Sequence, residues 1–379
     1  MKVKSIAIKV WKIFMNCIYK FIKLLEIENK ITFISRQTNN KNIDFDLLID
    51  KITEEYPSYK IVVLNKKLEK GLSKKIAYFF HMFKQMYHIA TSKTVVLDSY
   101  CIVVSILRHK KETSFIQLWH ALGSLKKFGY SILDREEGRS SKIAKLMDMH
   151  KNYTYILTSS QLSKKYFMEA FNAKEEQMVV LGLPRIDFLR SQYCREMTRD
   201  KFFEKYPKMN NNKKNILYVP TKREKRKIDL DKIISSVNYA KYNLIIKLHN
   251  GKGLLYVNKK IIYNETSFLG IELLHIADFV ITDYSAIVYE AAIIKKPIYF
   301  YAFDYEDYIY NRGFYIDYRT EMPGPISKDI NEILNLIEDN VVYEDKLNDF
   351  IEKYCIINEE PVTGKIVNFI VNKKELINI

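Results

Sequence analysis

The chain has 379 residues, 47% of them hydrophobic, and 61 Lys and Arg against 45 Asp and Glu, for a formal net charge of +16. That hydrophobic share excludes a disordered chain, and the length exceeds what one core usually organises, so two domains are expected. The positive balance favours polyanionic partners, whether nucleic acid, an anionic membrane face or phosphorylated substrates, although a Lys-, Ile-, Asn- and Tyr-rich composition of the kind AT-rich coding produces discounts it. Four cysteines, Cys17, Cys101, Cys194 and Cys355, lie far apart with no CxxC pair, which argues against a zinc site and gives no disulfide framework.

Residues 1–28, MKVKSIAIKVWKIFMNCIYKFIKLLEIE, repeat apolar side chains at helical spacing. At about 100° per residue, Val3, Ile6, Val10, Phe14, Ile18, Phe21 and Leu25 share one face, and Lys9, Lys12, Lys20 and Lys23 share the opposite one. The pattern predicts a helix lying on an anionic membrane; packing against the protein's own core is the other use of the same pattern. Crossing the bilayer is not expected, because the longest uncharged run is Ile13 to Tyr19 and a span needs about 20 apolar residues. No compact apolar region ends in a small-residue cleavage site, so a secretory signal is not expected either.

Short β-branched runs follow: KITFISRQ (30–37), YKIVVLNK (59–66), KTVVLDSY (93–100), SFIQLWH (114–120), YTYILTSS (153–160) and QMVVLGLPRID (177–187). Separated by helical stretches, they signal a parallel α/β sheet. The polar segment 205–215, KYPKMNNNKKN, has no apolar periodicity and marks the expected domain boundary. A second series then begins with NILYVPT (215–221), YNLIIKLHN (242–250), DFVITDY (278–284) and KPIYFYAFD (296–304), with helices near 230–240, 267–277 and 285–294. The expected organisation is an amphipathic membrane-associating helix over 1–28, one α/β domain over 29–205 and a second over 206–379. Neither half contains GxGxxG or a P-loop, so the usual dinucleotide and ATP signatures are missing.

Two histidines close buried strand-like runs, His120 in FIQLWHALGSLKKFG and His249 in NLIIKLHNGKG. Ends of parallel strands are where open α/β sheets place ligand groups, and a histidine there can take a proton from a hydroxyl near neutral pH. A histidine satisfied by hydrogen bonds beneath a loop has the same local sequence. In HIADFVITDYSAIVYEAAIIKKPIYFYAFDYEDY (275–308) a strand runs into Thr282, Asp283, Tyr284 and Ser285 and then a small-residue helix. That geometry suits a phosphate, while plain N-capping explains the same residue types.

The order WHALGSLKKFG, GLPRID, LYVPTKRE, IKLH, ITDYSAIVYEAAIIKKPIYFYAFD and RGFYIDY, across roughly residues 90 to 320, resembles the CDP-glycerol glycerophosphotransferase family of teichoic acid synthesis. Length, amphipathic N-terminus and the WHA core look most like the glycerol phosphate primase type, and ribitol phosphotransferases are also similar. The resemblance implies a GT-B type fold, two doubly wound parallel-sheet domains facing a cleft, and an enzyme working without a metal or other cofactor, peripherally at the cytoplasmic face of the cell membrane. It implies transfer of an alcohol phosphate from CDP-glycerol or CDP-ribitol, bound by the domain over 206–379, to a hydroxyl of a lipid-linked saccharide acceptor, bound by the domain over 29–205, with release of CMP.

The same resemblance assigns roles. His120 becomes the general base, with Gly123 in a tight loop and Lys126 attracting acceptor phosphates; a solvated surface lysine explains the latter equally. His249, with Lys247, neutralises the pyrophosphate and assists CMP departure, and His-Asn stands here where relatives often have His-Pro. Thr282, Asp283 and Ser285 hold the diphosphate or the alcohol, and Glu290 reaches the ribose; Ala286 stands where relatives carry a second serine. Pro220, Thr221 and Arg223 receive cytosine and phosphate, and Arg312 contacts phosphate or makes a structural ion pair. Arg185 is a substrate-binding candidate near the cleft or, with Asp187, a structural part of the turn in GLPRID, where turn chemistry already explains Gly182 and Pro184. Two rivals remain: a GT-B glycosyltransferase using a nucleotide sugar, and a non-catalytic basic protein binding nucleic acid, which the lack of any nucleic-acid module disfavours.

Overall fold

Short apolar strands alternating with amphipathic helices can pair only in parallel, through crossovers that cover the sheet. The computed structural model, which describes residues 2–222, 228–248, 256–257, 261–263, 265–355 and 360–372, contains two such sheets. The first is built from β1 (Glu28–Ser35), β2 (Lys60–Asn65), β3 (Ser92–Leu97), β4 (Ser114–Gln117), β5 (Tyr155–Thr158) and β6 (Met178–Val180) in the order β2-β1-β3-β4-β5-β6, all parallel. The second contains β7 (Lys214–Val219), β8 (Tyr242–Ile246), β9 (Tyr256–Val257), β10 (Ile261–Tyr263), β11 (Phe279–Thr282), β12 (Ile298–Tyr301) and β13 (Ile326–Ser327). Its order is β13-β12-β11-β7-β8-β10-β9, and only β9 runs antiparallel.

Each sheet reverses direction of winding once. In the first, β1 lies between β2 and β3; in the second, β7 lies between β8 and β11. The crevice outside the carboxyl ends of those central strands is the natural ligand position in an open α/β sheet. The register Ile34↔Leu97 and Leu97↔Gln117 sets Ser35, Asp98 and the residues beyond Gln117 together at that edge of the first sheet.

Three helices of the first unit bear on function: α1 (Lys2–Ile22), α2 (Ile43–Glu55) and α3 (Leu72–Ala90). Asn42 caps α2, its side-chain oxygen accepting from the Phe45 N–H at 3.2 Å, which satisfies one of the helix's orphan donors. Helix α1 uses two faces. Met15 and Tyr19 are buried in the core, with Trp11, Ile18 and Ile22 packed against it, and Lys12 pairs with Asp148. The stripe holding Ile6, Val10, Phe14 and Phe21 stays in solvent, Phe21 at 72% exposure. So core packing and an outward apolar face, which the sequence poses as alternatives, coexist on one helix.

The chain divides into two compact units, one of Met1–His120, Lys127–Arg185 and Asn358–Ile379, the other of Ala121–Lys126 and Ile186–Ile357. The division therefore falls at Arg185/Ile186, not at the polar segment 205–215. The reason is packing: the rings of Phe202 and Tyr206 in the helix region before β7 meet at 5.1 Å, Phe202 meets Phe268 at 5.5 Å, and Phe188 meets His275 at 5.0 Å. The polar segment is a surface turn that opens β7. The last helix, Val362–Asn372, leaves the second unit for the first, where it packs on α2 and sets Phe369 against Tyr155 at 5.0 Å.

Candidate active site

His120 is placed by an unusual piece of backbone. Trp119 has φ of 65°, a left-handed conformation that bulky residues rarely adopt. It is held by packing, with the indole stacked on Phe128 at 5.0 Å and edge-on to Phe171 at 5.0 Å, and its N–H donates to the buried Gln117 side chain at 2.9 Å. Strain of this kind persists only where the surroundings over-determine it. The consequence is a side chain that leaves the end of β4 and stays exposed at the carboxyl edge of the sheet.

The imidazole is then oriented from behind. Its Nδ1 lies 3.1 Å from the backbone oxygen of Asp98 and 3.3 Å from the Gln37 amide. A carbonyl can only accept, so the Asp98 contact selects the Nδ1–H tautomer; the Gln37 Nε2 on the same ring nitrogen can only donate, and the two contacts agree once that amide is turned over to present its oxygen. The lone pair is thereby on Nε2, the nitrogen turned away from Asp98. Arg185 supports the main chain: its Nη1 donates to the His120 carbonyl at 3.2 Å, while its Nε and backbone N–H donate to Asp44 at 3.0 and 2.9 Å. Asp44 is 3% exposed and Arg185 17%, so this is a largely buried, multiply bonded pair. Arg185 thus bonds both Asp44 and the main chain of His120.

In the second unit four of the sequence motifs meet. The Asp283 carboxylate accepts from the Thr221 N–H at 2.8 Å and the Tyr284 N–H at 2.5 Å, and Thr282 Oγ1 donates to the Val219 carbonyl at 2.8 Å. Asp283 and Thr282 are 0% exposed. They tie the end of β11 to the loop after β7, because each side chain satisfies a backbone group that the parallel ladder leaves open at its edge. The Tyr318 hydroxyl of RGFYIDY donates to the Asp283 carbonyl at 3.0 Å. The same segment clamps the stretch after His120: Lys126 bridges Phe314, and the Tyr315 N–H donates to the Leu125 carbonyl at 3.0 Å.

Other expected residues separate by accessibility. Ser285 is half-buried at the start of the helix Ile287–Ile293, and its oxygen accepts weakly from the Ile287 N–H at 3.4 Å. Lys247 follows β8; its ammonium donates to the Glu265 carbonyl at 2.6 Å, and burial pulls its pKa below the ordinary value. Arg312 is half-buried at the end of the helix Tyr305–Asn311. Pro220 and Thr221 are buried at the edge of β7. Glu290 is 4% exposed inside the helix Ile287–Ile293, which buries every residue from Ile287 to Ala292. His249 and Arg223 lie outside the described residues.

Gly123 leaves no room for a side chain. A Cβ there would stand 2.5 Å from Tyr289 Cε1, and Tyr289 is fully buried against Phe350 at 5.2 Å. Gly123→Ala is expected to cost about 1–3 kcal/mol by overpacking, read as a lower Tm in calorimetry. The residues that sequence reasoning missed are Ser35, Gln37, Asn42, Asp44, Asp98 and Gln117. Asp98 was visible as the first polar residue after the strand KTVVL, the same signal that singled out His120.

Two doubly wound parallel sheets, each gathering polar groups at its switch point, define a GT-B type group-transfer architecture. The chain belongs to the CDP-Glycerol:Poly(glycerophosphate) glycerophosphotransferase family, whose profile matches residues 18–372, and it is a transferase. It is 32% identical to the teichoic acid ribitol-phosphate primase of Bacillus spizizenii, over 93% of this chain and 94% of that protein. It is 28% identical to the teichoic acid glycerol-phosphate primase of Bacillus subtilis, over 98% of this chain and 99% of that one. Among solved structures, a variant of the wall teichoic acid polymerase TagF soaked with CDPG superposes with a TM-score of 0.77, covering 98% of both chains at 20% identity.

Proposed function

We propose that this protein moves glycerol phosphate or ribitol phosphate from the matching CDP-alcohol to a hydroxyl of a lipid-linked saccharide, in teichoic acid or related cell-surface polymer synthesis. The observation that supports this reading most is the His120 imidazole, exposed at the switch point of the first sheet with Nδ1 tied to a carbonyl. The acceptor hydroxyl gives its proton to His120 Nε2 as its oxygen bonds to the phosphorus of the alcohol phosphate; the bond from that phosphorus to CMP breaks, and CMP leaves with the electron pair. Such displacements depend mainly on positioning and charge neutralisation. Ser285, Lys247 and Arg312 are the described groups of the second unit suited to the donor's phosphates, together with His249 and Arg223. Lys126, half-buried at the end of the stretch after His120, is suited to acceptor phosphates. Incubation with CDP-ribitol, CDP-glycerol and UDP-sugars decides between this reading and a glycosyltransferase: CMP from a CDP-alcohol is expected, and UDP release in its place would refute it.

The location proposed is peripheral, at the cytoplasmic face of the membrane. No helix among the described residues is long and apolar enough to cross one. Helix α1 exposes Ile6, Val10, Phe14 and Phe21, and the neighbouring α3 exposes Leu72, Ile76 and Phe80 at i, i+4 and i+8. Apolar stripes left in water on adjacent helices, with Lys9 and Lys20 exposed beside them, suit an anionic lipid surface. Because Met15 and Tyr19 belong to the core, deleting α1 would damage folding. Phe14→Asp with Phe21→Asp is the cleaner test, expected to cut co-sedimentation with anionic vesicles at least several-fold while Tm stays unchanged.

A further inference from the structure

Asp98 sits at the end of β3 with its side chain buried and its backbone oxygen on the His120 ring. Its carboxylate accepts from Ser35 Oγ at 2.6 Å, at the end of β1, and from Asn42 Nδ2 at 2.8 Å. Asn42 is also the cap of α2. One residue thus joins the ends of β1 and β3, the start of α2 and the imidazole. A carboxylate fixed by two donors is costly to bury unless its charge is used or matched. Its own main-chain oxygen holds Nδ1, so the buried carboxylate belongs to the same residue that bonds the ring.

We infer that Asp98 is a positioning residue for His120: its carbonyl fixes the Nδ1–H tautomer, and its buried carboxylate stabilises the imidazolium that forms when Nε2 takes a proton. The inference rests on the proposal that His120 is the base, and adds the residue that tunes it. Burial pushes the Asp98 carboxyl up to about 6, against the lowering effect of the Ser35 hydrogen bond, so it is mostly ionised at neutral pH. The other charges at this corner are Arg36, whose Nη1 donates to the Tyr100 carbonyl at 2.7 Å, and Arg185 with Asp44, which compensate each other. An ionised neighbour favours the charged form of a histidine. Removing that charge therefore lowers the pH at which His120 protonates.

The test is a nuclear magnetic resonance titration of the His120 ring in the full-length protein, beside the pH profile of CMP release. In the unmodified protein, ring nitrogen shifts are expected to report the Nδ1–H tautomer when the imidazole is neutral; an Nε2–H tautomer overturns the inference even if no Asp98 variant folds. In Asp98→Asn, whose remaining oxygen still accepts from Ser35 and Asn42, the His120 midpoint is expected to fall by about one pH unit. The acid limb of kcat/KM follows it, and the plateau of kcat drops about tenfold. An unmoved midpoint and limb overturn the inference. His120→Ala separates this from the reading beneath it: an active His120→Ala enzyme refutes the base, whereas an inactive one beside an unmoved Asp98→Asn titration refutes only Asp98.

Discussion

His120→Ala is expected to lower kcat by about 10³-fold, within the range that a positioned general base contributes, with donor KM and Tm nearly unchanged. The side chain is exposed, and the backbone that presents it is held by groups the substitution leaves in place: Gln117 on the Trp119 N–H, Arg185 on the His120 carbonyl, and the Trp119–Phe128 stack. A structural histidine would show the reverse, a lower Tm with turnover largely kept. Single-turnover CMP release on the variant, together with its thermal unfolding, makes the distinction.

Arg185→Met carries the largest expected stability effect. It leaves the Asp44 carboxylate, 3% exposed, without the guanidinium that bonds it, and removing one partner of a buried pair costs about 3–5 kcal/mol. For a chain of this size that corresponds to a Tm lower by roughly 5 °C. Replacing both residues with apolar ones, Arg185→Met with Asp44→Leu, is expected to recover part of the stability, because the uncompensated charge is gone. Activity is expected to stay low in both variants, since both lose the donor to the His120 carbonyl. Equal Tm values for the single and double variants would show that the pair is not the source of the cost.

Much of this architecture was legible from periodicity. Ten of the strands coincide with the apolar runs read from the sequence to within two residues at their starts, because a strand covered on both faces is a continuous β-branched run. The short β9, β10 and β13 carry no such run and were missed. The domain boundary was misplaced because polarity marks a surface turn as readily as a linker, and what assigns the helix Gln192–Lys205 to the second unit is Phe202 packing on Phe268. The departure of Val362–Asn372 to the first unit is a long-range contact with α2 that no local pattern encodes.

The site shows the same division. His120 stood out because it ends a strand, and so did Thr282 and Asp283, yet the first is exposed and the others are fully buried. Sequence places all three at the edge of a sheet; only the fold tells whether an edge residue faces a ligand or closes a backbone gap, as Asp283 does for the Thr221 N–H. Arg185 was legible as structural, but Asp44, 141 positions away, was not. RGFYIDY read as a phosphate motif, and its Tyr318 proves to hold the Asp283 carbonyl.

The most direct measurement is the mass of a defined lipid-linked saccharide acceptor after incubation with CDP-ribitol or CDP-glycerol, with CMP counted in parallel. An acceptor heavier by whole alcohol-phosphate units, with one CMP for each unit added, is the predicted result. Addition of a sugar from a nucleotide sugar with release of a nucleoside diphosphate, or CMP formed with no change in the acceptor, would contradict it.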